Sequence, residues 1–275
     1  MDAFETDYKE GKIRDPKVER LIAYIQKKQS QDNKKVLIFT AYKDTAKFLY
    51  NELKKRELGN IAYVSGSQWE TFDDYSGKGF ETILERFAPF TKLYNEKDWS
   101  ELYEKSGLNK DYFEGDKWNV PFEKWMVLIR KYDEQILKKL ENPIDILVAT
   151  DCLSEGQNLQ DCDMIINYDI HWNPVHLIQR MGRIDRLESP NKTIRGINFW
   201  PAKDYEDYLN LKSRVENRMA AMTLVGTELD NNLTPELNKM NDRRKSAAVR
   251  PNPKDVAAIA TYMGRYRRGK RNTWA

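Results

Sequence analysis

Five short apolar runs constrain the fold of this chain more than any other feature. In chain order they are KVLIF at residues 35–39, IAYV at 61–64, DILVA at 145–149, MIINY at 164–168 and IRGINFW at 194–200. The runs are rich in β-branched residues and nearly continuous, which is typical of strands buried on both faces. Helical patterns separate several of them, and strands that alternate with helices predict a parallel sheet with right-handed crossovers. We therefore expect an α/β fold.

Two of the intervening segments have the signals of amphipathic helices. DTAKFLYNELKKR, at residues 44–56, carries its apolar side chains along one stripe, and Asp44 or Thr45 is its expected N-cap. NPVHLIQRM places Asn173 as a cap before Pro174, because proline suits the first position of a helix, where an N–H would have no helical partner. We expect both helices to flank the sheet.

The stretch between Val64 and Asp145 is about eighty residues long, more than one crossover needs. It holds four of the seven tryptophans: Trp69, Trp99, Trp118 and Trp125. Its end, VPFEKWMVLIRKYDEQILKKL at residues 120–140, has a helical period. We predict an inserted helical subdomain over about 67–141 with a small core of its own. The tryptophans either stack on bases or fill that core, and helical spacing favours the core.

The charge of the chain is unevenly distributed. Residues 243–275 contain ten lysines and arginines but one acidic residue, so this tail carries +9 while the whole chain carries +3 and the remainder −6. Such asymmetry is typical of a basic arm that meets a polyanion, although a tail that only increases solubility has the same composition.

No stretch approaches the length of about 20 apolar residues that crosses a bilayer, and the first residues lack the apolar centre of a secretory signal. The two cysteines, Cys152 and Cys162, and the two histidines do not form a disulfide framework or a metal-ligand pattern. We therefore expect reduced thiols, no metal site, no membrane association and a cytoplasmic protein.

Polar side chains follow three of the predicted strands, where a parallel sheet places its ligand-binding loops. Thr40 and Tyr42 follow the first strand, and Thr150 and Asp151 follow the third. After the fourth strand, a predicted helix carries Gln179, Arg180, Arg183 and Arg186. These arginines either cover a solvated helix face or bind phosphates.

The residues from strand DILVA onward resemble a known family. ILVATDCLSEGQNLQDCDMIINYDIHWNPVHLIQRMGRIDR is similar to motifs V and VI of superfamily-two helicases, and its wording resembles bacterial Swi/Snf-type ATPases of the RapA-like group. KVLIFTAYKDTAKFLYNEL resembles motif IV, and DPKVERLIAYI resembles the helix that leads into this lobe. The resemblance implies a RecA-like lobe at 31–200, after a leading helix or linker at 1–30. A C-terminal helix at 201–225 and a loosely ordered basic tail at 226–275 would follow.

The resemblance also implies roles for individual residues. Arg183 and Arg186 match arginine fingers that neutralise charge on the γ-phosphate of ATP, and Gln179 matches a residue that reaches toward the same phosphate. A guanidinium suits this role because it is a rigid donor fork that stays protonated. Arg180 lies on a different helical face, so we expect a structural ion pair there.

Seven further residues match positions that contact ATP or nucleic acid in the family. The ATP-facing candidates are Asp151, Glu155, Gly156 and Asn158, the last at the position of a ribose contact; the nucleic-acid candidates are Thr40, Tyr42 and Thr150. Without the motif, each threonine would be interpreted as an ordinary strand-end hydroxyl and the tyrosine as core.

The chain departs from the family in what it lacks. No G-x-x-x-x-G-K-[ST] loop and no acidic DExH or DEAH box occurs, and GSQWETFDDYSGKGF contains only an isolated Gly-Lys-Gly. We therefore expect the second lobe of a P-loop NTPase, without the P-loop, with ATP and Mg²⁺ bound mainly by an N-terminal lobe that is a required partner. The family's usual Ile-Gly-Gln ending is absent from LESPNKT, which leaves the nucleic-acid preference open. The resemblance favours duplex DNA as the partner, and RNA is not excluded.

Three functions are compatible with these patterns. The favoured one is the second motor lobe of an ATP-dependent translocase or helicase, which would be inactive as an isolated chain. The alternative is a non-catalytic nucleic-acid-binding or scaffold module with the same fold. The third is an enzyme of nucleotide metabolism. It is the weakest of the three, because the sequence shows no nucleophile–base pair: His171 and His176 lack an evident cysteine or serine partner.

Overall fold

The computed structural model describes residues 15–74, 79–114, 117–153, 156–170, 174–186 and 189–200. The helix predicted at 201–225 and the basic tail predicted at 226–275 lie outside these residues. Among the helices described, none is both long enough and apolar enough to cross a bilayer. The same residues contain no group of three or more histidine, cysteine or acidic side chains that could hold a metal ion.

A six-stranded sheet forms the centre of the described structure, and a two-stranded hairpin lies apart from it. The strands are β1 (Val36–Phe39), β2 (Ile61–Ser65), β3 (Gln68–Thr71), β4 (Phe113–Glu114), β5 (Lys117–Trp118), β6 (Ile146–Ala149), β7 (Met164–Asn167) and β8 (Arg195–Asn198). The sheet order is β3-β2-β6-β1-β7-β8, and all neighbours are parallel except β2 and β3. The five predicted strands and the α/β class are therefore confirmed. The sequence missed β3 because its residues are mostly exposed and form no apolar run.

Seven α-helices accompany these strands in the described part of the chain. They are α1 (Pro16–Gln29), α2 (Lys43–Lys55), α3 (Phe80–Phe87), α4 (Ser100–Lys105), α5 (Phe122–Tyr132), α6 (Glu134–Glu141) and α7 (Pro174–Met181). A π-helical turn spans Phe90–Asn95, and short 3₁₀ turns span Lys110–Tyr112 and Asp151–Leu153.

The start of one helix agrees with the sequence, and the start of another differs from it. Pro174 is the first residue of α7, as predicted, whereas its expected cap Asn173 lies outside the described residues. The predicted caps of α2 are wrong, because the helix begins one residue before Asp44, with Tyr42 at the N-cap and no side-chain cap bond. The helical period noted at 120–140 corresponds to two helices, α5 and α6, which are divided at Asp133, and the carboxylate of Asp133 caps α6.

The two faces of the sheet have separate cores. On one face α1 and α2 contribute Leu21 and Leu49, which pack in one cluster with Ile38 of β1. On the other face Leu84 of α3 packs in a cluster with Leu37 of β1. The loop before β7 and the turn after α7 add apolar residues to this second core. The residues that carry motifs V and VI are therefore packed against the same face as α3.

The inserted residues have a third core, centred on the fully buried Trp125. Trp99 packs on Trp125 with ring centroids 5.4 Å apart, and Trp118 packs against the same cluster, as the core interpretation predicted. Trp69 lies on β3 and is partly exposed. Because β3 and α3 belong to the main sheet and its core, the separate core begins later than the predicted boundary at about 67, near Phe90.

Arg86 closes the base of the insertion. Its main-chain oxygen accepts from the Ile144 amide at 3.1 Å, and its Nε donates to the main-chain oxygen of Asn142 at 2.6 Å. The rest of its guanidinium pairs with the carboxylate of Asp73. The chain therefore leaves the main domain after α3 and returns to β6 at neighbouring points.

Candidate functional site

The carboxyl ends of β1, β6 and β7 lie side by side at one edge of the sheet. Phe39, the last residue of β1, is in register with Ala149 on one side and with Asn167 on the other. The loops that begin with Thr40, Thr150 and Tyr168 are consequently neighbours, as the sequence predicted for a parallel sheet.

The two threonines at this edge are buried. The Thr40 hydroxyl donates to Asp169, which also accepts from Lys17 Nζ at 3.2 Å. The Thr150 hydroxyl contacts Cys152 Sγ at 3.3 Å. Tyr42, in contrast, is 70% exposed. Of the three nucleic-acid candidates, only Tyr42 presents most of its side chain to solvent, and the threonines hold the loops together.

Arg180 lies beneath these loops in a buried ion pair. Its Nε and Nη2 atoms are both 2.7 Å from Asp151 Oδ1, and its side chain has no exposed surface. Its Nη1 donates to Asn167 Oδ1 at 3.0 Å and to the main-chain oxygen of Asp169 at 3.2 Å. The guanidinium lies over the ring of Phe39. The structural ion pair predicted for Arg180 is confirmed. Asp151, predicted from the resemblance to face ATP, is its partner.

Arg183 and Arg186 lie nearer the surface than Arg180. Arg183 is half-buried, and its Nε donates to the main-chain oxygen of Gln179, one turn earlier, at 3.2 Å. Arg186 is exposed and its Nε donates to the Gly182 oxygen at 3.4 Å. Gln179 is half-buried on α7. The three predicted catalytic residues therefore belong to one short segment, α7 and the turn after it.

The motif V loop is attached to this turn. The Leu159 amide donates to the Arg183 oxygen at 2.9 Å. Asn158 donates from its side-chain amide to Glu96 Oε1 at 3.2 Å. Gly156 is exposed and has a φ of +76°, a conformation that favours glycine. Glu155, the remaining ATP-facing candidate, lies outside the described residues.

The sequence did not indicate four polar residues that organise the site: Asn167, Asp169, Asp161 and Glu96. Asn167 and Asp169 stand in the NYD triplet at the end of β7, a position that could have suggested contacts with the neighbouring strand ends. Asp161 and Glu96 form hydrogen bonds between the insertion and the main domain, and no local sequence pattern marks either residue.

A comparison with protein families matches residues 87–188 to the helicase conserved C-terminal domain. The matched range begins at the end of α3 and includes the insertion, the motif V loop, α7 and the turn after α7. This turn carries Arg183 and Arg186 and is called the arginine turn.

Two curated relatives show the extent of the similarity. An uncharacterized ATP-dependent helicase, YqhH of Bacillus subtilis (strain 168), is 41% identical over 91 residues, which cover 33% of this chain and 16% of the relative. The ATP-dependent RNA helicase dbp8 of Sclerotinia sclerotiorum is 30% identical over 104 residues, which cover 38% of this chain and 19% of the relative. The chain thus spans less than a fifth of the length of either relative.

Among solved structures, the S. cerevisiae protein Dbp5 bound to RNA and ADP BeF3 is similar with a TM-score of 0.38 and 16% sequence identity. The superposition covers 72% of this chain and 36% of that chain.

Proposed function

We propose that the helicase C-terminal domain carried by this chain is the second motor lobe of an ATP-dependent nucleic-acid translocase, of the Swi/Snf type that its motif wording favours. The observation that carries the proposal is the different burial of three arginines on α7 and the turn after it. Arg180 is fully buried against Asp151, whereas Arg183 is half-buried and Arg186 is exposed. One arginine holds the turn to the sheet, and the other two are nearer the surface where a second lobe would meet them.

In this proposal Arg183 and Arg186 contact the γ-phosphate of ATP that is bound by an N-terminal lobe. That lobe supplies the phosphate-binding loop, the acidic box and the ligands of Mg²⁺. A guanidinium is suited to the charge that develops on three phosphoryl oxygens, because it donates two parallel hydrogen bonds and does not lose its proton. Contacts that form only when the two lobes close stabilise the transition state more than bound ATP.

The edge formed by the strand ends would bind the nucleic-acid backbone. Of the three nucleic-acid candidates, Tyr42 is the one with an exposed side chain, while the buried hydroxyls of Thr40 and Thr150 keep the adjoining loops in place. Backbone contacts are independent of base sequence, so binding would tolerate any sequence and weaken steeply with salt. Duplex DNA is the favoured substrate on the motif wording, and the name of the dbp8 relative makes RNA the alternative to be measured.

The test is the ATPase activity of a protein that joins this chain to an ATP-binding lobe. Turnover is measured with duplex DNA, single-stranded DNA and RNA, for the unaltered protein and for Arg183→Ala. We expect stimulation by duplex DNA and a loss of turnover of roughly 10³-fold in Arg183→Ala, the scale of an arginine finger. Arg183→Lys should restore little, because one ammonium does not reproduce the fork.

Arg130→Ala is the matched control, since Arg130 is an exposed arginine on α5, within the insertion. It should keep normal turnover. Normal turnover per folded molecule in Arg183→Ala would refute the finger assignment. Nucleic-acid binding without any ATPase activity would favour the non-catalytic binding module.

A further inference from the structure

The π-helical turn Phe90–Asn95 contacts one short segment of the main domain from both of its ends. This segment, residues 158–161, begins in the motif V loop at Asn158 and leads toward β7. The turn belongs to the insertion and is separated from the segment by more than sixty residues of sequence. π-Helical turns are rare and are found most often at functional sites.

At the N-terminal end of the turn, Asp161 accepts three hydrogen bonds. Its carboxylate oxygens receive the amides of Phe90 at 2.7 Å and Thr91 at 2.9 Å, and the Thr91 hydroxyl at 2.6 Å. Asp161 is buried. Burial raises the pKa of its carboxyl, while the bonds from Thr91 and Phe90 act in the opposite direction. This contact fixes the start of the turn to the main domain.

At the C-terminal end, Glu96 holds Asn158. Glu96 Oε1 accepts from the Asn158 side-chain amide at 3.2 Å, and Oε2 pairs with Lys92 Nζ at 2.8 Å. Each carboxylate oxygen thus has its own partner. The ion pair with Lys92, one turn earlier, limits the rotamers of Glu96 and so directs Oε1 toward Asn158.

The opposite side of the turn is packed into the core of the insertion. The Phe90 ring lies 5.3 Å from the Phe122 ring, and the Tyr94 ring lies 5.6 Å from Trp125, centroid to centroid. Trp125 is fully buried. The turn is therefore held by aromatic packing on one side and offers its two ends to the main domain on the other.

The segment that the turn holds leads directly to the arginine turn. Leu159 lies next to Asn158, and its amide donates to the Arg183 oxygen at 2.9 Å. The position of Asn158 and the position of the Arg183 main chain are thus linked through a single residue.

We propose that the insertion holds the ATP-facing loop in place, and that Glu96 is a positioning residue for Asn158. The part that concerns ATP rests on the proposed function, in which Asn158 contacts the ribose. The two-point contact keeps the 158–161 segment ordered before ATP arrives, so less ordering is required when the nucleotide binds.

Hydrogen exchange of the full chain tests the positioning without ATP. In Glu96→Ala, amides in residues 156–160 should exchange roughly tenfold faster, as expected when a hydrogen bond to a charged group is lost. The amides of Phe90 and Thr91 should keep their protection because Asp161 still accepts them. Glu104→Ala is the matched control, since Glu104 is an exposed glutamate of α4 in the same insertion, and its exchange should equal that of the unaltered chain.

Two conservative variants separate positioning from simple ion pairing. Glu96→Gln keeps an oxygen that accepts from Asn158, so it should restore most of the protection of residues 156–160. Lys92→Met removes the ion pair but keeps the Glu96 acceptor, so it should reduce that protection less than Glu96→Ala does; an equal loss would overturn the role of the Glu96 acceptor. Exchange in Glu96→Gln as fast as in Glu96→Ala would overturn the inference, because the charge rather than the acceptor would then matter. Unchanged exchange in Glu96→Ala would also overturn it.

The consequence for ATP is measured separately, in the protein joined to an ATP-binding lobe. Glu96→Ala and Asn158→Ala should each raise KM for ATP by roughly fivefold with little change in kcat, the pattern for lost ground-state binding. The double variant should raise KM no further than either single one. Faster exchange with an unchanged KM would remove Asn158 from the proposed ATP contacts, whereas unchanged exchange removes the positioning role whatever KM does.

Discussion

The guanidinium of Arg180 meets the carboxylate of Asp151 through Nε and Nη2, each 2.7 Å from Oδ1. The pair joins α7 to the 3₁₀ turn after β6. Because Arg180 Nη1 also donates to Asn167 at the end of β7, one buried side chain connects two strand ends to the arginine turn.

Replacing Arg180 should therefore affect stability before chemistry. Arg180→Ala removes the buried guanidinium that bonds to the carboxylate of Asp151 and to the side-chain oxygen of Asn167, so we expect the free energy of unfolding to fall by roughly 3 kcal/mol. Arg186→Ala, on an exposed side chain, should change it by less than about 0.5 kcal/mol. Urea denaturation of the two variants measures the difference, and equal midpoints would contradict the structural role of Arg180.

The isolated chain should hydrolyse no ATP above background. The sequence has neither a phosphate-binding loop nor an acidic box, the elements that supply most contacts to nucleotide and magnesium. Phosphate release by the purified 275-residue chain is the measurement. Activity that persists through purification and disappears in Arg183→Ala would show that the chain binds and hydrolyses ATP by itself.

Deletion of residues 243–275 should weaken nucleic-acid binding. The deletion removes a net charge of +9. Binding to a fluorescent duplex should weaken, and the plot of log affinity against log salt should become shallower, because fewer counterions are released. The melting temperature should change little. A salt dependence equal to that of the complete chain would indicate that the tail only increases solubility.

Glu85 of α3 should make stability dependent on acid pH. Burial by itself would raise the pKa of its carboxyl, but hydrogen bonds and ion pairs with Lys139 and Lys97 outweigh burial and lower the pKa below the ordinary value of a glutamate. A lowered folded-state pKa means that the stabilisation is complete above the unfolded-state pKa and is lost as pH falls through the folded-state pKa. We expect Glu85→Gln to be less stable than the unaltered chain at neutral pH.

The difference in the free energy of unfolding between the unaltered chain and Glu85→Gln should become smaller below about pH 4.5, where the carboxyl of Glu85 takes up its proton in the unfolded state. Urea midpoints from pH 3 to pH 7 measure it, and Glu104→Gln is the exposed control. A difference that stays constant over this range would show that the ion pairs with Lys97 and Lys139 do not act through the charge of Glu85.

The five buried strands were predictable because the local sequence of each one indicates a strand. Runs such as residues 145–149 are apolar and β-branched throughout, so they indicate a buried parallel strand without knowledge of its neighbours. Pro174 likewise marks the start of α7. The edge strand β3 was missed, since an exposed strand such as Gln68–Thr71 carries no such run.

The contacts that organise the site were less predictable, because they join residues far apart in sequence. Asp161 contacts Thr91 across 70 residues, and Asn158 contacts Glu96 across 62. A motif marks Asn158, but nothing in the sequence around Glu96 distinguishes it from the other acidic residues of the insertion. The ion pair of Arg180 was expected from helical geometry, and its partner Asp151 was not.

The closure of the insertion by Arg86 has a consequence for how such a chain can arise and diverge. The main-chain oxygen of Arg86 bonds to the Ile144 amide, so the two points at which the insertion joins the domain are already neighbours. A segment gained or lost between them leaves the register of β6 against β1 and β2 unchanged. Related genes can therefore differ by tens of codons at this position and still encode the same sheet, and a short loop from residue 88 to residue 143 is the replacement with which a laboratory deletion would begin.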